Sequence, residues 1–189
     1  MPKQVDHDER RRSIGDAVCR VLATRGLDAV SLRHVAAEAG VSMGRVQHYF
    51  ATKDDMLLFA FHHISARVAT RIAAVHSPDP RAFLRALLLE LLPLSPAARF
   101  EAPVLAAFLA QAVVEPRLAE PLREGGPQMV AFVASLITQA RPGGDAERDA
   151  MALLAFVDGL MTQMLIGQVD ALVAVQLVDH QLDLVLTSG

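Results

Sequence analysis

Apolar residues in this 189-residue chain recur with the period of an α-helix almost from end to end. Ile14, Ala17, Val18, Val21 and Leu22 fall at i, i+3, i+4, i+7 and i+8, which places them in one stripe along a helix. No apolar–polar alternation of period two stands between turn signals, so the pattern offers no place for a sheet. The chain is therefore expected to be all-α, with about nine helices. Hydrophobic residues make up 52% of it, enough for a sizeable core and too much for a disordered chain.

The punctuation divides this pattern. Gly26 stands where the first helix ends. Ser31 can cap a short second helix carrying Leu32, Val35, Ala36 and Ala39, and Gly40 closes it. Ser42 caps a third helix, to about Phe50. Thr52-Lys53-Asp54-Asp55 has the form of a capping box and opens a long fourth helix ending near His76. Asp79-Pro80 and Ser95-Pro96 each read as an N-cap followed by proline in the first helical position. Pro93 stops the helix begun at Pro80. Pro103 is expected to kink or break the helix that contains it. Glu115-Pro116, Gly125-Gly126-Pro127 and Pro142-Gly143-Gly144 read as further boundaries. Asp145 and Asp170 cap the last two helices, to about Ile166 and Leu186. The expected organisation is a three-helix unit over residues 1–53 and a larger helical bundle over 54–189.

Charge excludes a uniformly basic nucleic-acid coat, because the net formal charge is −3. It is unevenly spread: residues 1–51 hold eight Lys or Arg against six acids, the remaining 138 residues ten against fifteen. A single cysteine, Cys19, excludes an intramolecular disulfide and suits a reducing, cytoplasmic compartment. Lying between Val18 and Val21, it is expected to pack as a small hydrophobe. The longest stretch without a charge, Gly125–Ala140, is 16 residues long and opens on two glycines and a proline, which argues against a membrane helix. The N-terminal residues have no apolar run of the secretory kind.

The stretch from Ser31 to Lys53, SLRHVAAEAGVSMGRVQHYFATK, carries the chemistry. Two short helices joined by a tight turn at Ala39-Gly40-Val41 form a helix-turn-helix arrangement. Val35, Ala36 and Val46 pack the two helices together. The third helix then presents Ser42, Met43, Arg45, Gln47 and His48 outward. Arg and Gln are the side chains that read guanine and adenine edges in the major groove. Ser42 and Tyr49 can reach phosphate oxygens, which the N–H groups at a helix start also favour.

The block Gly40-Val41-Ser42-x-Gly44-x-Val46-x-His48-Tyr49-Phe50-x-x-Lys53-x-x-Met56-Leu57 resembles the DNA-binding signature of TetR-family transcriptional regulators. The resemblance covers roughly residues 10–60. The endings Val157-Asp158-Gly159-Leu160 and Leu177-Val178-Asp179-His180-Gln181-Leu182 are similar to the choline/betaine-type subgroup. The resemblance implies a homodimeric regulator, a repressor, that binds a palindromic double-stranded DNA operator and is released by a small effector, with no enzymatic activity and no cofactor. It implies that Ser31 and Arg33 contact phosphates, that Tyr49 and Lys53 clamp the backbone, and that Gly44 lets the recognition helix approach DNA. Family members often carry an aromatic residue where this chain has Gln47, which points to a base-reading amide instead. Arg10, Arg11 and Arg12 could reach an adjacent groove as an arm.

The middle and C-terminal helices are rich in apolar and flexible side chains, the composition of a ligand pocket as well as of a core. With the implied effector, the candidate pocket residues are Phe100, Phe108, Gln111, Met129, Phe132, Phe156, Met161, Gln163 and Met164, and the scarcity of charge suggests a largely apolar effector. Both of the last two helices are apolar on more than one face, so each must be covered on more than one side. Burial within one chain would satisfy this; with the homodimer that the resemblance implies, the expected dimer contacts are Leu153, Val157, Leu160, Met164, Val173, Leu177 and Leu184. Adjacent His62 and His63 face different sides of a helix, and no Cys/His cluster is present, so no metal site is expected. The competing interpretation is a helical small-molecule-binding or interaction protein without a DNA role, which DNA binding that weakens steeply with salt would reject.

Overall fold

The computed structural model describes the backbone of residues 2–187 and side chains from Glu9 to Thr187. Among the described residues there are nine α-helices and no strand: α1 (Pro2–Arg25), α2 (Leu32–Ala39), α3 (Met43–Tyr49), α4 (Lys53–Ala73), α5 (Pro80–Glu90), α6 (Pro96–Ala112), α7 (Pro116–Ala140), α8 (Ala146–Leu165) and α9 (Ala171–Thr187). A single 3-10 turn, Leu27–Ala29, follows α1.

The expected caps form. Ser31 accepts from the His34 N–H and Ser42 from the Arg45 N–H, each at 3.3 Å. Thr52 and Asp55 complete a reciprocal capping box at 2.9 and 3.1 Å. Asp79, Ser95, Asp145 and Asp170 each accept from the first turn of the helix that follows. Gly40 closes α2 at φ 66°, a left-handed conformation that a β-carbon disfavours.

At two of the expected interruptions the helix does not break. α6 runs unbroken through Pro103, and α7 runs through Pro121, Gly125-Gly126 and Pro127. A proline inside a helix loses one backbone hydrogen bond. Here burial on either side holds the helices together: Ala102 and Val104 flank Pro103, while Leu118, Val133, Leu136 and Ile137 anchor α7 at both ends. Gly125, Gly126 and Pro127 themselves are exposed.

The chain divides into two compact units. One contains the residues up to Ala66 together with Pro103–Ala119; the other contains Arg67–Ala102 and the residues from Glu120 onward. The first unit thus takes up more than the expected residues 1–53. The reason lies in α4, whose opening turns bury Met56, Leu57, Ala60 and Ile64. The Phe61 ring also stacks on Phe108 of α6 at 4.3 Å.

In the second unit α8 and α5 both pack on α9. Ala150, Leu153, Val157, Leu160 and Met161 of α8, and Ala174, Val178, Leu182 and Val185 of α9, are buried. Arg85 holds Asp179 in a two-pronged ion pair with bonds of 2.5 and 2.9 Å, and Arg81 pairs with Asp183 one turn further along α9. The single buried charged residue among those described, Glu101 of α6, accepts from Arg67 and Arg71 of α4 at 3.0 and 2.8 Å. Arg71 also donates to Glu90 of α5 at 2.8 Å.

Candidate nucleic-acid interface

α2 and α3 are held in the first unit by a short apolar inventory. Val35 and Ala36 of α2, Val46 of α3 and Phe50 just beyond it are buried together with the α1 stripe Ile14, Ala17, Val18, Val21 and Leu22. Cys19 is buried beside that stripe, as a packed small side chain. Arg20 of α1 donates to Glu38 of α2 at 2.7 Å, and the His34 ring meets the Ala29 carbonyl at 2.7 Å.

Val46 is the buried residue of α3. Ser42, Met43, Gly44, Arg45, Gln47 and His48 are exposed, and Tyr49 is half-buried with its ring edge against His48 at 5.2 Å. A β-carbon built on Gly44 would meet nothing within 4 Å, so no internal packing requires glycine there. Ser31 is half-buried in its cap, Arg33 is exposed on α2, and Lys53 is half-buried as the first residue of α4. The ten expected DNA contacts therefore fall on the start of α2, on α3 and on the start of α4, all within one unit.

An aromatic and charged joint braces the end of α3. Phe50 meets Phe59 of α4 edge-on at 5.3 Å, and His63 stacks on Phe59 at 5.9 Å. The Arg11 guanidinium lies 5.1 Å from the Phe59 ring centre and 5.9 Å from that of Phe50. His63 pairs with Asp16 at 2.9 Å. Gly15 lets Phe59 in: a β-carbon there would lie 1.8 Å from the Phe59 ring. Arg10, Arg11 and Arg12 thus belong to α1 rather than to an extended arm, and Arg11 acts as a brace. Periodicity could not reveal how this joint closes, because Arg11, Gly15 and Asp16 lie more than thirty positions from the aromatic residues they meet.

Arg33, Arg45 and Lys53 are cationic, while Asp55 is engaged. Burial alone would raise the Asp55 carboxyl, but hydrogen bonds from Arg117, at 2.6 Å, and from Thr52 outweigh it and hold the group below its usual range.

The remaining expected site residues are dispersed. Phe108 is buried and Gln111 half-buried in the first unit; the other seven pocket candidates belong to the second. Met161 is buried, Phe100, Met129, Phe156 and Met164 are half-buried, and Phe132 and Gln163 are exposed. Phe132 packs edge-on to Phe83 of α5 at 6.3 Å. Of the expected dimer contacts, Leu153, Val157 and Leu160 are buried within the chain. Met164 and Leu177 are half-buried, while Val173 and Leu184 are exposed. Periodicity missed the outward apolar residues Met151, Ile166 and Leu172, which are 58, 64 and 69% exposed. No cluster of three or more metal-ligating side chains occurs among the described residues.

Two short helices joined by a tight turn at Gly40, the second presenting Arg45, Gln47 and His48 outward, form the arrangement of the helix-turn-helix class of regulatory proteins. Comparison with known proteins agrees. Residues 14–59 match the model of the bacterial regulatory proteins of the tetR family, and residues 80–187 match that of the BetI-type transcriptional repressor C-terminal region. The chain belongs to the TetR family of transcriptional regulators. It is 40% identical over 114 residues to the HTH-type transcriptional regulator PksA of Bacillus subtilis, a match that spans 59% of this chain and 56% of that protein. A transcriptional regulator from Rhodococcus sp. RHA1 shares the fold with a TM-score of 0.82 at 35% identity, over 93% of each chain. A Saccharomonospora viridis structure in complex with choline is similar in fold, with a TM-score of 0.80 at 24% identity over 96% of this chain and 97% of that one.

Proposed function

We propose that the chain is a DNA-binding repressor that places α3 in the major groove of a palindromic operator and is released by a small, largely apolar effector. The observation that carries this reading is the exposed face of α3, where Arg45 and Gln47 stand free of the core while Val46 fixes the helix behind them. Ser31, Arg33, Tyr49 and Lys53 supply phosphate contacts that set the register.

A palindromic operator requires two copies at a fixed spacing. The outward residues of α8 and α9 supply a surface for a second copy: Met151, Ala155, Gly159, Thr162 and Ile166 follow one face of α8, and Leu172, Val173 and Leu184 are exposed on α9. The half-buried phenylalanines and methionines of α6, α7 and α8 are the candidate effector contacts. The choline complex of the S. viridis protein supports a small-molecule effector for this fold. α4 runs from the first unit into the second, so it is the covalent route by which an effector would bias the spacing of the recognition helices. Such coupling requires the effector to bind the two dimer forms with different affinity.

The test is a titration of the full chain on DNA from upstream of its own gene, with random DNA as competitor, at two salt concentrations. A specific complex that weakens steeply with salt is expected. Arg45→Ala and Gln47→Ala should each reduce the preference for the operator over random DNA by roughly tenfold, the worth of one good base contact. Unchanged sequence preference in both variants would overturn the assignment of α3 as the reading element.

A further inference from the structure

We infer that Met43 reads the C5-methyl group of a thymine in each operator half-site. The inference rests on the DNA-binding function proposed above. Met43 opens α3 and is 55% exposed, the one large apolar side chain on a face otherwise made of Ser42, Gly44, Arg45, Gln47 and His48. Other exposed apolar residues, such as Met151 and Leu172, lie on α8 and α9, outside the helix-turn-helix of α2 and α3. Among the described exposed apolar residues, Met43 is the one that shares the seven-residue α3 with exposed Arg45 and Gln47.

Among the groups that base pairs present in the major groove, the apolar one is the thymine methyl. A long, unbranched thioether adapts to such a target without a fixed rotamer. Gln47 stands four residues on and shares its flank of the helix, whereas Arg45, two residues on, points to another. Four residues span about 6 Å of helix axis, on the order of two base-pair steps. The thymine met by Met43 and the adenine suited to Gln47 therefore lie within about two steps of each other, with the guanine suited to Arg45 across the groove.

The experiment starts from duplexes that the full chain selects out of a random pool. Each thymine of the selected half-site is replaced by uracil, which removes the methyl group and nothing else. Wild type, Met43→Ala and Met43→Leu are titrated on each duplex. At one thymine per half-site the wild type should lose roughly three- to fivefold in affinity, the worth of one buried methyl group. Met43→Ala should bind the thymine and uracil duplexes alike, and Met43→Leu should keep most of the discrimination. Because the side chain is exposed, all three proteins should show the same helical content.

An enriched operator with no thymine sensitive to the swap, or a uracil penalty equal in wild type and Met43→Ala, would overturn the role of Met43 and leave the DNA-binding function standing. A pool in which nothing is enriched, with binding indifferent to salt, would overturn both.

Discussion

Two glycines of the first unit serve opposite ends, and substitution separates them. Gly15 is internal: an added β-carbon would meet the Phe59 ring at 1.8 Å, and the ring is already held by Phe50, His63 and Arg11. Gly15→Ala is expected to destabilise the protein by about 1–3 kcal/mol through overpacking, measured by urea unfolding. Gly44 is external: a β-carbon there meets nothing, and glycine within a helix costs about 1 kcal/mol relative to alanine. Gly44→Ala is expected to raise the melting temperature slightly and to weaken operator binding by roughly tenfold or more, because the methyl stands on the face that approaches the groove. Stability and binding that rise together in this variant would remove Gly44 from the interface.

At the scale of elements, two ion-pair groups hold the second unit in different ways. The Arg85–Asp179 and Arg81–Asp183 pairs lie at the surface between α5 and α9. The hydrogen bonds from Arg85 hold the Asp179 carboxyl below its usual range, although partial burial opposes them. A carboxyl lowered in the folded state contributes stability that is complete above its unfolded pKa of about 3.9 and is lost as the pH falls through the folded value. Asp179→Asn should therefore be less stable than wild type near neutrality, and the difference should shrink in acid; unfolding curves at about pH 7 and pH 3 check it. The Glu101 group is buried. Arg71→Met leaves that carboxylate with only the half-exposed Arg67, and should cost about 3 kcal/mol. Adding Glu101→Met should recover most of the loss, since removing a buried pair costs less than breaking it. A double variant no more stable than the single one would contradict this account.

The whole molecule leaves an apolar surface on its last two helices, and the proposed dimer covers it. Ile166→Glu or Leu172→Glu is expected to convert the dimer to a folded monomer, read by sedimentation together with unchanged circular dichroism. Leu153→Glu is expected to unfold the second unit instead, because Leu153 is fully buried within one chain. If the exposed-face variants remain dimeric, the partner surface lies elsewhere.

Local chemistry decided much of this protein from its sequence. Helix ends marked by Ser31, Ser42, Thr52, Asp79, Asp145 and Asp170 formed where they stood, because a cap acts on backbone groups two or three residues away. The outward residues of α3 were equally legible, since one valine in a seven-residue helix leaves little choice of face. Tertiary packing alone decided the rest. It carried α6 through Pro103, where buried Ala102 and Val104 flank the proline, and α7 through Pro121 and Pro127, where Leu118 and Val133 are buried on either side of an exposed middle. It also chose which apolar face of α8 turned inward. Leu153, Val157 and Leu160 were as good a partner surface on paper as Met151 and Ile166, because periodicity finds stripes and only the neighbouring helices determine which stripe is covered. In the joint of Arg11, Gly15, Phe50, Phe59 and His63 only the Phe59–His63 pair is local: the rest exists because the fold brings α1, the end of α3 and α4 to one place.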